Sequence, residues 1–223
     1  MDAVIKVGGS LAADAAGLRA LCLELGKTGE HCRLAIVPGG GEFADVTRAV
    51  DSRFGLNANV AHRMAVLGMD QFGLLLTDLI PKCRLAFSLG VIPGLSGSGH
   101  VVVLLPSRLV FRARSLKSSW EVTSDSIAAY VAGRLGVRKL VLVTNVDGVF
   151  AGDPKADAGA EFLKEISASG LLELGFRTSV DRFLPNMLLK YDLQCSVVNG
   201  RFPERVVKVL ADEETVCTRI VPR

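Results

Sequence analysis

Apolar and polar positions follow two different periods along the chain. Short apolar runs, each closed by glycine, proline or asparagine, alternate with longer stretches in which apolar side chains recur every three or four residues. The short runs predict strands at Val4–Val7, Arg33–Val37, Leu85–Phe87, Val101–Leu105, Lys139–Thr144, Cys195–Val198 and Val216–Val221. The longer stretches predict helices. One carries Leu18, Leu21, Cys22 and Leu25 and is placed to end at Gly26; another follows Glu42 with Phe43, Val46 and Val50 on one face. Asn59–Ile80 forms a long pattern through Val60, Met64, Leu67, Gln71, Leu75 and Leu79. Further helices start at Thr123 or Ser124 and close at Gly136, lie within Asp181–Tyr191, and span Pro203–Leu210.

Strands alternating with helices predict an α/β fold: an open, mainly parallel β-sheet sandwiched between helices. Lys139–Thr144, the most hydrophobic run, suits the sheet centre, and Val216–Val221 suits an edge. Gly90–His100, rich in Gly, Ser and Pro, has two open readings: a lid or a long hairpin connection. No internal repeat or low-complexity linker divides residues 1–223, so one domain is expected.

Two predicted strands run straight into glycine turns that open helices. The first reads Val4-Ile5-Lys6-Val7-Gly8-Gly9-Ser10 and the second Pro38-Gly39-Gly40-Gly41-Glu42. Without a Cβ, the glycine backbone can turn sharply and approach a bound group. Its N–H groups then face an anion beside the positive end of the following helix. Lys6 adds a point charge at the same place. The stretch reads as a cradle for a phosphate group, with an ordinary βα turn as the plain alternative. Neither stricter glycine fingerprint, G-x-G-x-x-G or G-x-x-x-x-G-K-[ST], is present. The two turns fall on one edge of the predicted sheet, the edge at which ligands bind in open parallel sheets.

Composition narrows the partners. A net charge of +3 is small and dispersed, and the basic run Arg108, Arg112, Arg114 and Lys117 is too short and too poor in aromatics for nucleic acid. No apolar run approaches a membrane span, and the N-terminus lacks the layout of a secretory signal. The five cysteines are odd in number and never spaced C-x-x-C, which suits free thiols in a cytoplasmic protein and no metal site.

Four segments in order then carry a resemblance: Ile5-Lys-Val-Gly-Gly-Ser10, Pro38-Gly-Gly-Gly41, Thr123-Ser-Asp-Ser-Ile-Ala128, and Val143-Thr-Asn-Val-Asp-Gly-Val-Phe150 with Asp153-Pro-Lys155. Together they resemble the amino acid kinase superfamily over essentially the whole chain. Gly41-Glu-Phe-Ala44, Ser119-Trp-Glu-Val-Thr-Ser-Asp125, Thr178-Ser-Val-Asp181 and Val198-Asn-Gly-Arg-Phe-Pro-Glu-Arg205 are similar to one branch of it, the (5-(aminomethyl)furan-3-yl)methyl phosphate kinases of methanofuran biosynthesis.

The resemblance implies an ATP- and Mg²⁺-dependent kinase, expected as a homo-oligomer, that turns a small phosphomonoester into a diphosphate. It divides the domain into an acceptor-binding lobe (1–117) and a nucleotide-binding lobe (118–223). Lys6 would hold the transferring phosphoryl group, and Asp125 at a helix start would organise the lysines. Gly8, Gly9, Ser10 and Gly40 would line the phosphates. Thr144, Asn145, Asp147, Phe150, Asp153 and Lys155 would lie at the nucleotide, Asn145 standing where relatives often have aspartate.

The second lysine of the superfamily follows a Thr-Gly-Gly-Met turn. Here that turn reads Thr178-Ser-Val-Asp181 and the next lysine is Lys190, further along than usual. On the acceptor side stand Gly39, Gly40, Gly41, Glu42, Asp45 and His62. Glu42 is either the partner of an aminomethyl cation or an ordinary first-turn acid. His62 is either a ligand or a surface or capping residue. Three alternatives stay open: a uridylate or isopentenyl phosphate kinase, a nucleotide- or oxyanion-binding module without turnover, and a scaffold without a ligand.

Overall fold

In the computed structural model, which describes all residues except 98, 114, 115, 117, 153–158 and 175–177, strand β1 (Ala3–Val7) is buried along its whole length. Its alternation sets the two faces of the molecule. Ala3, Ile5 and Val7 face one apolar layer, whereas Val4 joins the other. Lys6 shares the phase of Val4. A single lysine is thereby aimed into the layer opposite α1.

After β1 come a 3₁₀ turn at Gly9–Ala13, α1 (Ala15–Thr28), β2 (Leu34–Pro38), α2 (Gly41–Phe54), α3 (Ala58–Leu79), β3 (Cys83–Ala86), α4 (Ile92–Ser96), β4 (Val101–Leu104) and α5 (Ser107–Val110). The second half holds α6 (Ser124–Leu135), β5 (Lys139–Thr144), β6 (Val149–Phe150), β7 (Phe162–Leu163), β8 (Glu165–Ser167), α7 (Ala168–Glu173), α8 (Leu184–Tyr191), β9 (Gln194–Asn199), α9 (Pro203–Leu210) and β10 (Thr218–Val221). Among the described residues, eight strands form one sheet in the order β3-β4-β2-β1-β5-β9-β10-β8. All its neighbours pair parallel except β9 and β10. The short β6–β7 ribbon lies apart.

The open, mainly parallel sheet between helix layers is the fold that the alternating periods predict. α1 and α9 cover one face with Leu21, Cys22, Leu25 and Val206. α6 and α8 cover the other with Ile127, Val131, Leu184 and Leu188. α3 serves both, through Val66 and Met69 on one side and Phe72 and Leu76 on the other. From β1 the chain first adds β2 on one flank, and only later returns to add β5 on the other. The C-terminal ends of β2, β1 and β5 thus lie side by side where the winding reverses, the usual ligand crevice of such sheets.

Several local expectations are corrected. α1 runs past Gly26 to Thr28; a Cβ on Gly26 would lie 2.7 Å from Pro81, so this glycine serves close packing and the helix ends at Gly29. Phe43 and Val46 face outward on α2 while Ala44 and Thr47 face in. The cause is α3: a Cβ on Gly68 would stand 3.0 Å from the α2 backbone at Phe43 and Ala44, a separation that only small side chains permit.

For the same reason Val60, Leu67 and Leu75 lie on the outer side of α3. Gly90–His100 is no hairpin connection, because β3 and β4 are parallel; its described part contains α4, which buries Ile92 completely. β10 is not the edge strand either, since β8 pairs beyond it. β8 reads Glu-Ile-Ser, too short and too polar to register as an apolar run.

Candidate active site

The two glycine turns touch. A Cβ on Gly9 would lie 2.1 Å from the Gly41 nitrogen, and one on Gly39 would lie 2.5 Å from the Gly9 nitrogen. Real side chains do not survive such distances, so backbone meets backbone. Gly41 also has φ +53°, the left-handed region that favours glycine. Not every N–H of the turns is free. Gly8 N–H donates to the Val143 carbonyl (2.8 Å) and Gly39 N–H to the Val7 carbonyl (2.7 Å), extending the ladder that holds the turns together. Gly9 and Gly41 instead open helices, and Gly40 is the N-cap of α2. The first N–H groups of a helix have no partner inside it, and these are the donors a phosphate can take.

Lys6 and Asp125 meet behind this cradle. Lys6 Nζ stands 2.8 Å from Asp125 Oδ1, with side chains only 11% and 7% exposed. The contact is an ion pair without the alignment of a good hydrogen bond. A Cβ on Gly8 would fall 3.6 Å from Nζ, so the ammonium lies directly beside the first turn. Asp125 is in the first turn of α6, where the macrodipole favours a carboxylate.

Its other oxygen accepts the Asp181 backbone N–H (Oδ2, 3.1 Å). The Asp181 carboxylate then ties down the starts of two helices. It accepts from Thr123 N–H and Oγ1 (2.9 Å each), Ser126 N–H (2.9 Å) and the Ser126 hydroxyl at the α6 end. At the α8 end it accepts from the N–H groups of Phe183 (3.1 Å) and Leu184 (2.8 Å). Thr123 is the N-cap residue of α6 as expected, but the capping oxygens come from Asp181. Burial, and then the Asp125 charge, push the Asp181 carboxyl above its ordinary range.

A cleft of about 610 Å³ opens over Lys6 and the glycine turns. Of the residues singled out in the sequence, Lys6, Gly8, Gly9, Ser10, Gly40, Gly41, Glu42, Asp45, His62, Thr144 and Asn145 line it. Gly39 supports it from below through its bond to Val7. Asp125 lines an adjoining cleft of about 600 Å³, which shares Arg48, Trp120, Thr123 and Ser179 with the first.

Other expected residues lie elsewhere. Asp147 lines neither cleft; its Oδ1 accepts from Asn199 (3.0 Å) and Arg205 (2.9 Å). Phe150 is packed edge-to-face against Phe162, 5.5 Å between centroids. Lys190 is exposed at the end of α8, over the Tyr191 ring, and lines neither cleft. Asp153 and Lys155 fall outside the described residues.

One wall of the cleft is drawn from α2, α3 and the segment before α6. His62 is buried (6% exposed), and its Nε2 has no partner. Burial holds its pKa below the ordinary value, partly offset by the nearby Ser119 backbone. Ala65, Val66, Met69, Val122 and Ile127 give the cleft an apolar lining. Asp45 pairs with Arg48. Sequence reasoning gave no role to Asp181, Arg48 or Trp120. The first stood where a Thr-Gly-Gly-Met turn was expected, and its offset from that pattern was the available signal.

Comparison with known proteins accords with this geometry. The model of the "Amino acid kinase family" matches residues 1–189. The chain belongs to the amino acid kinase family. It is a phosphotransferase, and a kinase family implies ATP as phosphoryl donor. A [5-(aminomethyl)furan-3-yl]methyl phosphate kinase of Methanocaldococcus jannaschii is 32% identical over 218 residues, 98% of this chain and 97% of that one. A uridylate kinase of Pyrococcus abyssi is 27% identical over 237 residues, 94% and 95% of the two chains. Among solved structures, a uridylate kinase from Archaeoglobus fulgidus superposes with a TM-score of 0.79 at 22% identity, covering 99% and 100%. That likeness establishes the fold. No described helix is long and apolar enough to cross a membrane.

Because burial disfavours the charged imidazole, the folded chain binds the His62 proton less tightly than the unfolded chain. Stability is therefore lost as pH falls below the ordinary histidine value of 6.5. Urea midpoints measured between pH 7.5 and 5 are expected to drop more steeply for the wild type than for His62→Gln; equal slopes would show that His62 does not couple to folding.

Proposed function

We propose that the chain transfers the γ-phosphoryl group of ATP to a small phosphomonoester, giving a diphosphate. The proposed acceptor is the (5-(aminomethyl)furan-3-yl)methyl phosphate for which the M. jannaschii relative is named, a step in methanofuran-type cofactor biosynthesis in the cytoplasm. One observation carries this reading. A single cleft brings together Lys6, the glycine turns, the Glu42 carboxylate beside the second turn, and the apolar side chains of Ala65, Val66 and Met69. That combination suits a small molecule that carries both a phosphate and an ammonium group.

Phosphoryl transfer asks little covalent chemistry of a protein and much positioning and charge stabilisation. Lys6 and the N–H groups of Gly9, Gly40 and Gly41 would stabilise the equatorial oxygens of the group in flight. Asp125 holds Lys6 at the turn, and Asp181 holds Asp125. An acceptor phosphate is already ionised near neutral pH, so no general base is needed.

Residues 1–117 would supply most of the acceptor wall, and residues 118–223 the nucleotide side through Thr144 and Asn145. No cluster of three or more His, Cys, Asp or Glu that could hold a metal occurs among the described residues. This donor set fits a Mg²⁺ ion held largely by phosphate oxygens, with the Asn145 side chain available in the same cleft. Bound there, Mg²⁺ would supply charge neutralisation on the phosphate oxygens.

Phosphoryl-transfer assays with Mg-ATP against furan, uridine and isopentenyl monophosphates test the acceptor. The furan phosphate should give the highest kcat/KM, and a clear preference for the uridine compound would replace it. Lys6→Ala should fold and lose ~10²–10³ in kcat; near-wild-type turnover would remove Lys6 from the mechanism. Glu42→Gln should raise KM for the amine-bearing acceptor by about tenfold or more, the scale of a charged hydrogen bond, with KM for ATP unchanged. Equal changes in both would mean that Glu42 is only a helix-start acid.

A further inference from the structure

The chain contains one tryptophan, and it stands between the two clefts. Trp120 belongs to a short strap, Ser118–Trp120, tied to α3 and α2 through its two end residues. Ser118 Oγ donates to Asn59 Oδ1 (3.3 Å), and Trp120 Nε1 donates to Asp51 Oδ2 (2.9 Å). The Arg48 guanidinium lies over the indole ring, 5.2 Å from its centroid.

An indole fixed through its N–H and covered by a cation has its plane set before any ligand arrives. Yet 37% of the residue stays exposed, and it forms part of the cleft wall beside Val122 and Met69. Core packing does not account for that placement, because a tryptophan held only for packing would bury more of its area. Apolar lining alone would accept any greasy group. A rigid ring in the wall favours a flat one, because aromatic faces gain from stacked or edge-on contact beyond the area they bury.

We propose that Trp120 is a specificity-determining residue of the acceptor end, its indole stacking on a flat, unsaturated ring that carries the acceptor phosphate. Arg48 and Asp51 act through it as positioning residues that hold the ring plane. This inference rests on the phosphomonoester kinase reading above and adds the ring chemistry of the acceptor. The residue has a built-in reporter, since all tryptophan emission from the chain comes from this position.

The test uses pairs of phosphomonoesters alike except for the ring: furanylmethyl phosphate against its tetrahydrofuranyl counterpart. In the wild type, titration without ATP should give a saturable change in tryptophan emission, with the aromatic member binding about 2- to 10-fold more tightly. KM values should show the same ratio. Trp120→Leu should abolish that ratio by weakening the aromatic member alone, leaving KM for ATP unchanged, and Trp120→Phe should restore most of it.

Equal weakening of both ring types, an unchanged ratio in Trp120→Leu, or no emission change at saturating acceptor would overturn the proposal. Should Trp120→Leu fail to fold, the wild-type titration and the Trp120→Phe ratio still decide it. Ring preference with emission change but no phosphoryl transfer would sink the kinase reading and leave the Trp120 assignment standing. Transfer without ring preference would do the reverse.

Discussion

The arrangement depends on one buried ion pair, Lys6 with Asp125, joining the central strand to the start of a helix on one face. Such a pair is a poor source of stability: removing two charges from water costs about what their attraction returns, and a packed apolar pair is often better. Breaking it from one side is another matter, commonly costing ~3–5 kcal/mol because the survivor is left buried and unpaired. The chain has nevertheless placed the pair at the centre of its sheet and surrounded it with further polar bonds. The simplest physical account is that the pair serves to hold an ammonium group still. An unpaired lysine stem would sample several rotamers, whereas one fixed by a carboxylate offers its remaining protons in one direction.

The rest of the structure can be understood as support for that geometry. The glycine turns bring two strand ends within contact distance, which is possible only because neither carries a Cβ. Asp181 uses its backbone to steer Asp125 and its side chain to fasten α6 to α8, so the carboxylate facing Lys6 is fixed from behind. Gly68 lets α3 lie against α2, which keeps the second turn pressed on the first. These are backbone approaches and saturated hydrogen bonds, the kind of contact that keeps a site rigid to within a fraction of an ångström.

Much of this was legible in the sequence because it rests on local rules. Short apolar runs leading into glycine turns pointed to β1, β2 and the cradle. Lys6, at the end of the first strand, put a charge beside the first turn. The helix starting near Ser124 brought a first-turn acid. What stayed illegible depends on long-range packing. The apolar rows through Phe43, Val46 and Leu67 read as one side of each helix, but which side faces in was set by the closeness of α2 and α3. β8, a polar tripeptide, becomes a strand only because β10 offers an edge. Gly26 looked like a helix end and is a contact with Pro81. Asp181 and Lys190 are the clearest pair: the segment departs from its family's pattern, and only coordinates show the aspartate at the centre and the lysine out on the surface.

The most direct test of the central claim is a double-mutant cycle on kcat across the buried pair. It uses Lys6→Ala, Asp125→Ala and the double variant, assayed with Mg-ATP and the best phosphomonoester acceptor. If Asp125 acts through Lys6, each single variant is slowed by ~10²–10³ and the double variant is no slower, within a few-fold, than Lys6→Ala alone. Losses that multiply to ~10⁴ or more would show two independent contributions and contradict the account.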